Sequence, residues 1–348
     1  MPSSATLAPL AETAPRQQAM RHFLDMSGWR GVTPRPLTAD ASFRTYHRLV
    51  DGGRRAVLMD APPPQEEVGP YIAVAALLRR LGFSAPEVMA EDRAGGFLLV
   101  EDFGDDTYTR LIARGADEEA LYRLAVDTLV ALQQAVAAMG APDLPPYDEA
   151  RLLAEAALLA DWYYPAATGE RLGAAARDDY LGLWRGVLRE AAPSPPTLVL
   201  RDYHVDNLML LADRPGVRGC GLLDFQDAVV GHPAYDLVSL LEDARRDVPP
   251  ALRERAAERY LDAFPGRDRA HFRQAAAILA AQRNAKIIGI FTRLWRRDGK
   301  PHYLPHIPRV WRLLEEDLRE PALAPIARWL DRHLPPARRR APDPRSSR

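Results

Sequence analysis

The sequence predicts a two-lobed α+β fold, with a small β-rich N-terminal lobe and a large α-helical C-terminal lobe. Short apolar runs separated by Gly and Pro dominate roughly the first hundred residues, which is typical of strands. Longer stretches with helical periodicity fill most of the remainder. A group of strands followed by a group of helices is typical of α+β architecture, and 348 residues are enough for both lobes.

The N-terminal lobe is predicted from turn residues and from the spacing of apolar side chains. The turn Asp51-Gly-Gly53 separates two apolar runs, which indicates a β-hairpin. Apolar residues three or four positions apart indicate a helix, and Gly82 ends it. The predicted elements are a helix over 16–30, strands Phe43–Val50 and Arg55–Asp60, a helix over 66–81, and a strand Phe97–Val100.

The C-terminal lobe is predicted to be helical on both sides of a short hairpin. Prolines between the first helices separate them, because proline cannot continue a helix. The predicted elements are helices over 117–139, 148–162 and 170–191, short apolar pieces Thr197–Leu200, Leu208–Leu211 and Gly219–Asp224, and helices from 234 to about 330. The lobes are therefore expected at 16–101 and 102–332, with disordered tails at 1–15 and 333–348.

Composition excludes several classes of protein. Lys+Arg is 46 and Asp+Glu is 47, a balance that argues against a nucleic-acid coat or a membrane-surface protein. No apolar run approaches the ~20 residues that span a bilayer, and no signal peptide is recognisable. The single cysteine, Cys220, can form no internal disulfide. The expected compartment is the cytoplasm, and the sequence carries no signal for an oligomeric state.

The segment that carries chemistry is Leu198–Leu211, where apolar runs flank Asp202, His204 and Asn207. A second acid, Asp224, ends an apolar run that follows. An acid, an asparagine five positions later and a second acid after a hairpin suit phosphoryl transfer. The first acid can accept the proton of an acceptor hydroxyl, and oxygen atoms are the ligands that Mg²⁺ prefers.

This pattern resembles a known family. The motif Asp202-x-His-x-x-Asn207, followed by Leu-Asp224-Phe, is similar to the aminoglycoside phosphotransferase/choline kinase group of protein-kinase-like enzymes. The resemblance covers about residues 20–330 and implies a protein-kinase-like fold that uses ATP and Mg²⁺. It also implies that Asp202 is the catalytic base and that Asn207 and Asp224 are the metal ligands.

Two further segments take their roles from the resemblance. Within Phe97–Gly104 it places the hinge that meets adenine, through backbone groups of Glu101 and Phe103. Within Gly231–Asp236 it matches the stretch after the metal ligand, where Asp236 supports the catalytic loop. A cleft between two lobes is where small-molecule sites tend to form.

One position departs from the family pattern. The expected strand lysine is replaced by Met59, and no lysine precedes Lys286. The glycine-rich loop is missing too; in its place Ser42 could donate to a phosphate and Arg44 could fork onto it. Three explanations stay open: an arginine substitutes for the lysine, the nucleotide is held differently, or the protein is not catalytic.

The acceptor side is predicted from residues 281–312, which hold eight Lys or Arg and one acid. Such a segment would repel a cationic acceptor and suit one that carries a carboxylate. Arg283 and Asn284 lie within an apolar run and are predicted to face the substrate. His204 is a third candidate for substrate contact; the alternative is a buried, hydrogen-bonded loop histidine.

The basic segment, with Leu58–Pro63 and Asp40–Phe43, is similar to one branch of the group, the bacterial anomeric kinases of cell-wall amino sugars. The resemblance implies ATP-dependent phosphorylation of the anomeric hydroxyl of N-acetylmuramate and/or N-acetylglucosamine in peptidoglycan recycling. The alternatives are an aminoglycoside- or choline-type phosphotransferase and a non-catalytic nucleotide-binding protein. The expected partners are therefore ATP and a small amino sugar, with no nucleic acid and no membrane.

Overall fold

The structure is a computed structural model that describes residues 14–37, 43–191 and 194–344. Its strands are β1 (Arg35–Pro36), β2 (Thr45–Asp51), β3 (Arg54–Asp60), β4 (Val88–Asp92), β5 (Phe97–Val100), β6 (Thr197–Val199), β7 (Leu208–Leu210), β8 (Cys220–Leu222) and β9 (Val229–Gly231). Its α-helices are α1 (Ala14–Met26), α2 (Gly69–Arg80), α3 (Tyr108–Ala113), α4 (Glu118–Met139), α5 (Glu149–Leu158), α6 (Tyr164–Thr168), α7 (Ala174–Glu190), α8 (Ala234–Leu241), α9 (Pro250–Asp262), α10 (Arg269–Asp298), α11 (Ile307–Asp317) and α12 (Ala324–His333). A π-helical turn, Leu159–Tyr163, follows α5.

The chain divides into two compact units. The first, the sheet unit, comprises the residues up to Leu111 together with Leu208–Asp227. The second, the helical unit, comprises Ile112–Asn207 and the chain from Ala228 onwards. A small β-rich part and a large helical part are thus confirmed as an α+β fold.

The boundaries of the units differ from the predicted division at residue 101. The hairpin of β7 and β8 is assigned by the sequence to the large lobe, but it belongs to the sheet unit. Backbone hydrogen bonds explain this, because the N–H of Leu210 donates to Asp106 at 2.9 Å and the N–H of Leu222 donates to Ser84 at 2.8 Å. Position in the chain therefore does not reveal which unit the hairpin joins.

The sheet unit is built on an antiparallel sheet of five strands in the order β1-β2-β3-β5-β4. Apolar side chains of α1, namely Met20, Phe23 and Leu24, pack against Leu58 of β3 and Leu99 of β5. Burial of apolar surface at about 25 cal/mol per Å² is the main stabilisation of such a layer. The predicted helix over 16–30 is present as Ala14–Met26, which begins two residues earlier and ends four residues earlier than predicted.

The turn between β4 and β5 requires glycine. Gly96 has φ +71°, and a Cβ atom there would lie 2.0 Å from the carbonyl oxygen of Ala61. The carboxylate of Asp92 accepts from the N–H of Gly95 at 2.8 Å and closes the turn. The sequence pattern does not predict β4, because its side chains are half-buried or exposed and lack an apolar alternation.

The helical unit is organised around α10, which packs against α5, α8, α11 and the π-helical turn. The helix begins after Asp268, whose side chain accepts from the N–H of His271 at 3.0 Å. Gly289 permits the closest approach, since a Cβ atom there would lie 2.3 Å from the backbone carbon of Leu158. Because α10 is surrounded by other helices on several sides, its apolar residues are not confined to one face.

Residues 333–344, which the sequence assigns to a disordered tail, are attached to the helical unit. The hydroxyl of Tyr163 donates to the carbonyl oxygen of Arg338 at 2.6 Å. The guanidinium of Arg339 is largely buried and pairs with Glu315 at 2.9 Å. The composition of this segment is that of a disordered tail, but tertiary hydrogen bonds and ion pairs hold it.

Some predictions fall on residues that the structure does not cover. Residues 1–13 and 345–348 of the predicted tails, and the candidate phosphate donor Ser42, lie outside the described residues. Among the helices of the described ranges, none is long and apolar enough to cross a membrane.

Candidate active site

The loop that follows β6 carries Asp202 and is held by Asp236 at the start of α8. The backbone N–H groups of Leu200 and Arg201 donate to the Asp236 carboxylate at 2.7 and 2.9 Å. Arg201 has φ +71°, a left-handed conformation that costs free energy for a residue with a side chain. Burial raises the pKa of Asp236 to about 7. The predicted support of the catalytic loop by Asp236 is confirmed, and it secures a strained turn next to Asp202.

Asp202 stands in a positively charged environment within the helical unit. Burial acts to raise the pKa of this carboxyl group, but Lys286, His204 and Arg201 act against burial and hold the pKa below its ordinary value. Arg283 acts in the same direction. The carboxylate is therefore ionised at neutral pH, which is the state that a general base requires.

A buried ionic network lies beside this loop. Glu155 of α5 accepts from Arg201 at 2.6 Å and pairs with Lys286 of α10 at 3.1 Å. The hydroxyl of Tyr147 donates to Glu155 and is hydrogen-bonded to the hydroxyl of Tyr235 at 2.9 Å. Burial would raise the pKa of Glu155, but Lys286 and Arg201 lower it. Lys286 and Arg201 thus lie between two carboxylates, those of Glu155 and Asp202.

Asn207 and His204 lie together in the loop. The amide nitrogen of Asn207 donates to the backbone oxygen of Asp202 at 3.0 Å and lies 3.3 Å from Nε2 of His204. Tyr203 anchors the loop, since its hydroxyl donates to the carbonyl of Ala125 at 2.8 Å. His204 is buried, which agrees with the alternative that it is a hydrogen-bonded histidine of the loop. Its contact with a substrate stays a prediction.

In the sheet unit, Arg44 links two acidic side chains. Its Nη2 lies 3.8 Å from Oδ1 of Asp224, and its Nε lies 3.6 Å from Oε2 of Glu66, shortly before α2. Asp224 has φ +55°, and its Oδ1 also accepts from Gln226 at 2.9 Å. Burial would lower the pKa of Arg44, but Tyr46, Asp224 and Glu66 raise it. The guanidinium is thus a firmly charged group beside a predicted metal ligand.

The strand register places Arg44 near the position of the missing lysine. Tyr46 of β2 pairs with Met59 of β3, and Thr45 pairs with Asp60. Met59 is buried and uncharged, so that position offers no cation to a phosphate. Arg44 directly precedes Thr45, so it lies at the end of the β2–β3 pair that is remote from the turn and close to Met59 and Asp60 in the register. Of the three explanations for the missing lysine, an arginine that substitutes for it fits this placement.

The predicted hinge follows β5 and is tied to the sheet unit by ion pairs. The N–H of Glu101 donates to the carbonyl of Glu87 at 2.9 Å, and its carboxylate pairs with Arg214. Arg48 of β2 donates to Asp102 at 3.0 Å. These bonds fix the course of the backbone that is predicted to meet adenine.

Phe103 packs tightly within the same segment. A Cβ atom at Gly221 would lie 2.9 Å from the ring of Phe103, and the guanidinium of Arg214 lies 5.1 Å from the centre of that ring. Glu101 and Phe103 are therefore brought together by the hairpin of β7 and β8 and by Arg214. Their contact with a nucleotide base stays a prediction.

Arg283 and Asn284 are buried in α10, but both side chains bind other protein groups. Arg283 donates to the hydroxyl of Ser239 at 2.9 Å and to the carbonyl of Glu242 at 3.1 Å. The amide nitrogen of Asn284 donates to Glu242 at 2.7 Å and to Asp317 at 2.9 Å. Their hydrogen bonds are thus directed into the packing of α10 against α8 and α11, and substrate contact by either residue stays a prediction.

Comparison with known proteins identifies the family. A model described as "Phosphotransferase enzyme family" matches residues 33–273. The chain belongs to this phosphotransferase family. It is 36% identical to the N-acetylmuramate/N-acetylglucosamine kinase of Caulobacter vibrioides, in an alignment that covers 93% of this chain and 98% of that protein. It is 39% identical to the kinase of the same name from Pseudomonas aeruginosa, over 87% of this chain and 90% of that protein.

A solved structure shares the fold of this chain. A choline/ethanolamine kinase family protein from Mesorhizobium loti superposes with a TM-score of 0.58 at 15% identity, over 90% of this chain and 98% of that chain. The protein-kinase-like fold and the family resemblance are therefore confirmed. Since the chain is a phosphotransferase, the explanation of the missing lysine by a non-catalytic protein is not supported.

Mg²⁺ suits the oxygen donors of this phosphotransferase. The amide nitrogen of Asn207 is bound to the backbone, which orients the amide, and Asp224 presents a partly exposed carboxylate. Mg²⁺ usually binds one or two protein oxygens together with phosphate oxygens and water. Asn207 belongs to the helical unit and Asp224 to the sheet unit, and their binding of one ion stays a prediction.

The sequence reasoning missed three acids that hold cations of the site. Glu66 lies beside Arg44, Glu155 binds Lys286, and Asp102 binds Arg48. No local motif marks an ion-pair partner that lies far away in sequence. One signal was usable. Lys286 is one of very few lysines in this chain and lies within the apolar run of α10, where a buried lysine requires a neighbouring anion such as Glu155.

The buried acids around Asn284 predict a pH effect on stability. Burial raises the pKa of Glu242 and raises that of Asp317 well above its ordinary value, with the neighbouring acid adding to the effect on Asp317. A proton held more tightly in the folded state stabilises it at low pH, and this stabilisation is lost as the pH rises through the folded-state pKa. We expect the wild-type Tm to fall from about pH 5 to about pH 8 by a few degrees more than the Tm of Asp317→Asn.

Thermal unfolding followed by circular dichroism across this range checks the prediction. The exposed acid Asp178 supplies a control, and Asp178→Asn should keep the wild-type pH dependence. An equal pH dependence in Asp317→Asn and in the wild type would show that Asp317 does not hold the proton.

Proposed function

We propose that this phosphotransferase transfers the γ-phosphate of ATP to the anomeric hydroxyl of N-acetylmuramate or N-acetylglucosamine and forms the sugar 1-phosphate. The observation that carries the proposal is the ionised Asp202 beside the positive charges of Lys286 and Arg201. The segment 281–312, with eight Lys or Arg and one acid, suits the lactyl carboxylate of N-acetylmuramate and disfavours a polycationic aminoglycoside. The names of the relatives support the same two acceptors. Such a product suits peptidoglycan recycling, and ATP as donor implies a cytoplasmic reaction.

In the proposed reaction, Asp202 accepts the proton of the anomeric hydroxyl as that oxygen attacks the γ-phosphorus. The bond from oxygen to phosphorus forms, the bond from the γ-phosphorus to the β,γ-bridging oxygen breaks, and ADP leaves. Asp202 then releases the proton to solvent. Asp236 holds the loop in place by accepting hydrogen bonds from two backbone N–H groups. The side chain of Asp202 is therefore positioned before the reaction begins.

The nucleotide is proposed to bind residues of the sheet unit. Arg44 would fork onto the phosphates, helped by Ser42, and backbone groups of Glu101 and Phe103 would meet adenine. Asn207 and Asp224 would hold Mg²⁺, which supplies compensation of phosphate charge when it is bound. The pairing of Arg44 with Glu66 supports this assignment, because it fixes the arginine directly before the first residue of β2.

Phosphorus NMR of a reaction with ATP, Mg²⁺ and N-acetylmuramate tests the proposal. We expect a new sugar phosphate resonance, split into a doublet by the anomeric proton, which identifies both the activity and the oxygen attacked. The same experiment with N-acetylglucosamine, kanamycin and choline gives the acceptor range. Turnover of kanamycin or choline but of neither amino sugar would overturn the proposed acceptor class.

A further inference from the structure

The structure sorts the basic residues of the segment 281–312 by their partners. Several of them are bound to acids on neighbouring elements or on α10 itself. These pairs are Lys286 with Glu155, Arg297 with Asp298, and Arg309 and Arg312 with Asp247. Arg296 is exposed, and its guanidinium lies 4.9 Å from the centre of the Trp295 ring.

Arg293 differs from these residues. Its side chain is half-buried, and its Nε is buried without a hydrogen-bond partner in the part of the chain that the structure describes. Burial and the neighbouring Arg297 lower the pKa of Arg293, and Asp298 offsets them only in part. Asp298 is itself bound by Arg297 at 2.7 and 2.9 Å. A cation kept partly out of water without a bound carboxylate costs free energy, and an anionic ligand would recover it.

Helix geometry places Arg293 on the face of α10 that carries Lys286. Seven residues separate the two positions, which is close to two full turns and about 10 Å along the axis. Arg283 lies about 80° around the helix from Arg293, because ten residues are about 2.8 turns. Lys286 and Arg283 both act on the charge of Asp202. This face of α10 therefore extends from the surroundings of the catalytic base to Arg293.

The neighbour of α10 at this level is the π-helical turn after α5. The two helices run in the same direction, since Gln282 contacts Leu152 and Lys286 contacts Glu155 one turn later. Gly289 meets Leu158 at the next turn, so the following turn of α10, with Arg293, lies at the level of Leu159–Tyr163. π-Helical turns occur often at functional sites.

We propose that Arg293 binds the lactyl carboxylate of N-acetylmuramate and thereby selects this sugar over N-acetylglucosamine. The inference rests on the proposed function. The two acceptors share the pyranose ring, the acetamido group and the anomeric hydroxyl, and they differ by the lactyl ether at C3. Only N-acetylmuramate carries a carboxylate for the guanidinium, and the planar fork of arginine matches a carboxylate with two parallel hydrogen bonds.

Steady-state kinetics of Arg293→Gln with the two sugars tests the inference. We expect kcat/KM for N-acetylmuramate to fall by roughly 10²-fold, mainly through KM, because one partner of a charge pair is lost. For N-acetylglucosamine, kcat/KM should stay within about twofold, which also shows that the variant is folded. Arg293→Lys should restore part of the loss, since a point charge replaces the fork. Arg296→Gln, a change of the same kind at an exposed position of the same helix, should leave both sugars unaffected.

The outcomes separate the inference from the function on which it rests. An equal loss for both sugars, or an unchanged ratio of their kcat/KM values, would overturn the role of Arg293 while the kinase function stands. A wild-type protein that phosphorylates neither sugar would overturn the proposed function itself. A selective loss for N-acetylmuramate in Arg296→Gln would place the carboxylate elsewhere on α10 and would also overturn the assignment.

Discussion

Asp202→Asn is expected to lower kcat for phosphorylation of N-acetylmuramate by roughly 10²–10⁴-fold. Asparagine has nearly the same shape as aspartate, but its amide cannot accept the proton of the anomeric hydroxyl. The Asp236 bonds that hold the loop involve the backbone of Leu200 and Arg201, and this substitution does not alter them. Coupled measurement of ADP release, together with direct titration of ATP binding, separates a loss of chemistry from a loss of nucleotide affinity.

A matched control for this change is Asp213→Asn, which alters an exposed acid in the turn between β7 and β8. It should leave kcat within about twofold, as surface substitutions away from special features do. A kcat for Asp202→Asn within tenfold of the wild-type value would contradict the assignment of Asp202 as the base.

Arg44→Ala is expected to have the second largest effect, with a fall in kcat/KM for ATP of roughly 10²–10³-fold. The guanidinium stands at the end of the β2–β3 hairpin where the family lysine is missing, and Glu66 and Asp224 hold it there. Its removal takes away positive charge next to the phosphates without changing the acceptor side. We therefore expect a weaker Kd for ATP by isothermal titration and a nearly unchanged KM for the sugar.

Two variants sharpen this test. Arg44→Lys should recover part of the activity, because a lysine supplies the charge but not the planar fork. Arg55→Ala removes an exposed arginine of β3 and should leave ATP binding unchanged. Unchanged ATP affinity and unchanged kcat in Arg44→Ala would exclude Arg44 as the replacement for the strand lysine.

The sequence was informative wherever function depends on residues that are close along the chain. The motif from Asp202 to Asn207 predicted the loop that the structure shows, and Asp236 supports that loop as the family resemblance implied. The hairpin of β2 and β3 followed from a Gly-Gly turn between two apolar runs. Each of these features is encoded locally, by turn chemistry or by spacing within a few residues.

Contacts between distant segments were beyond such reasoning. Arg283 and Asn284 were predicted to face a substrate because they interrupt an apolar run, and their side-chain nitrogen atoms donate to Ser239, Glu242 and Asp317. A polar residue within an apolar helix must find a partner when it is buried, but the pattern does not reveal whether the partner is protein or ligand. In this chain, neighbouring helices supplied the partners.

By itself, the sequence determined the fold class, the family and the identity of the predicted base and metal ligands, because these depend on periodicity and on short motifs. Only the tertiary structure decided how the charges are distributed. It assigned Glu66 to Arg44, Glu155 to Lys286, and no hydrogen-bond partner within the described chain to Nε of Arg293. The physical reason is that the free energy of a charge depends on burial and on the groups within a few ångströms of it, and packing brings those groups together from distant parts of the chain.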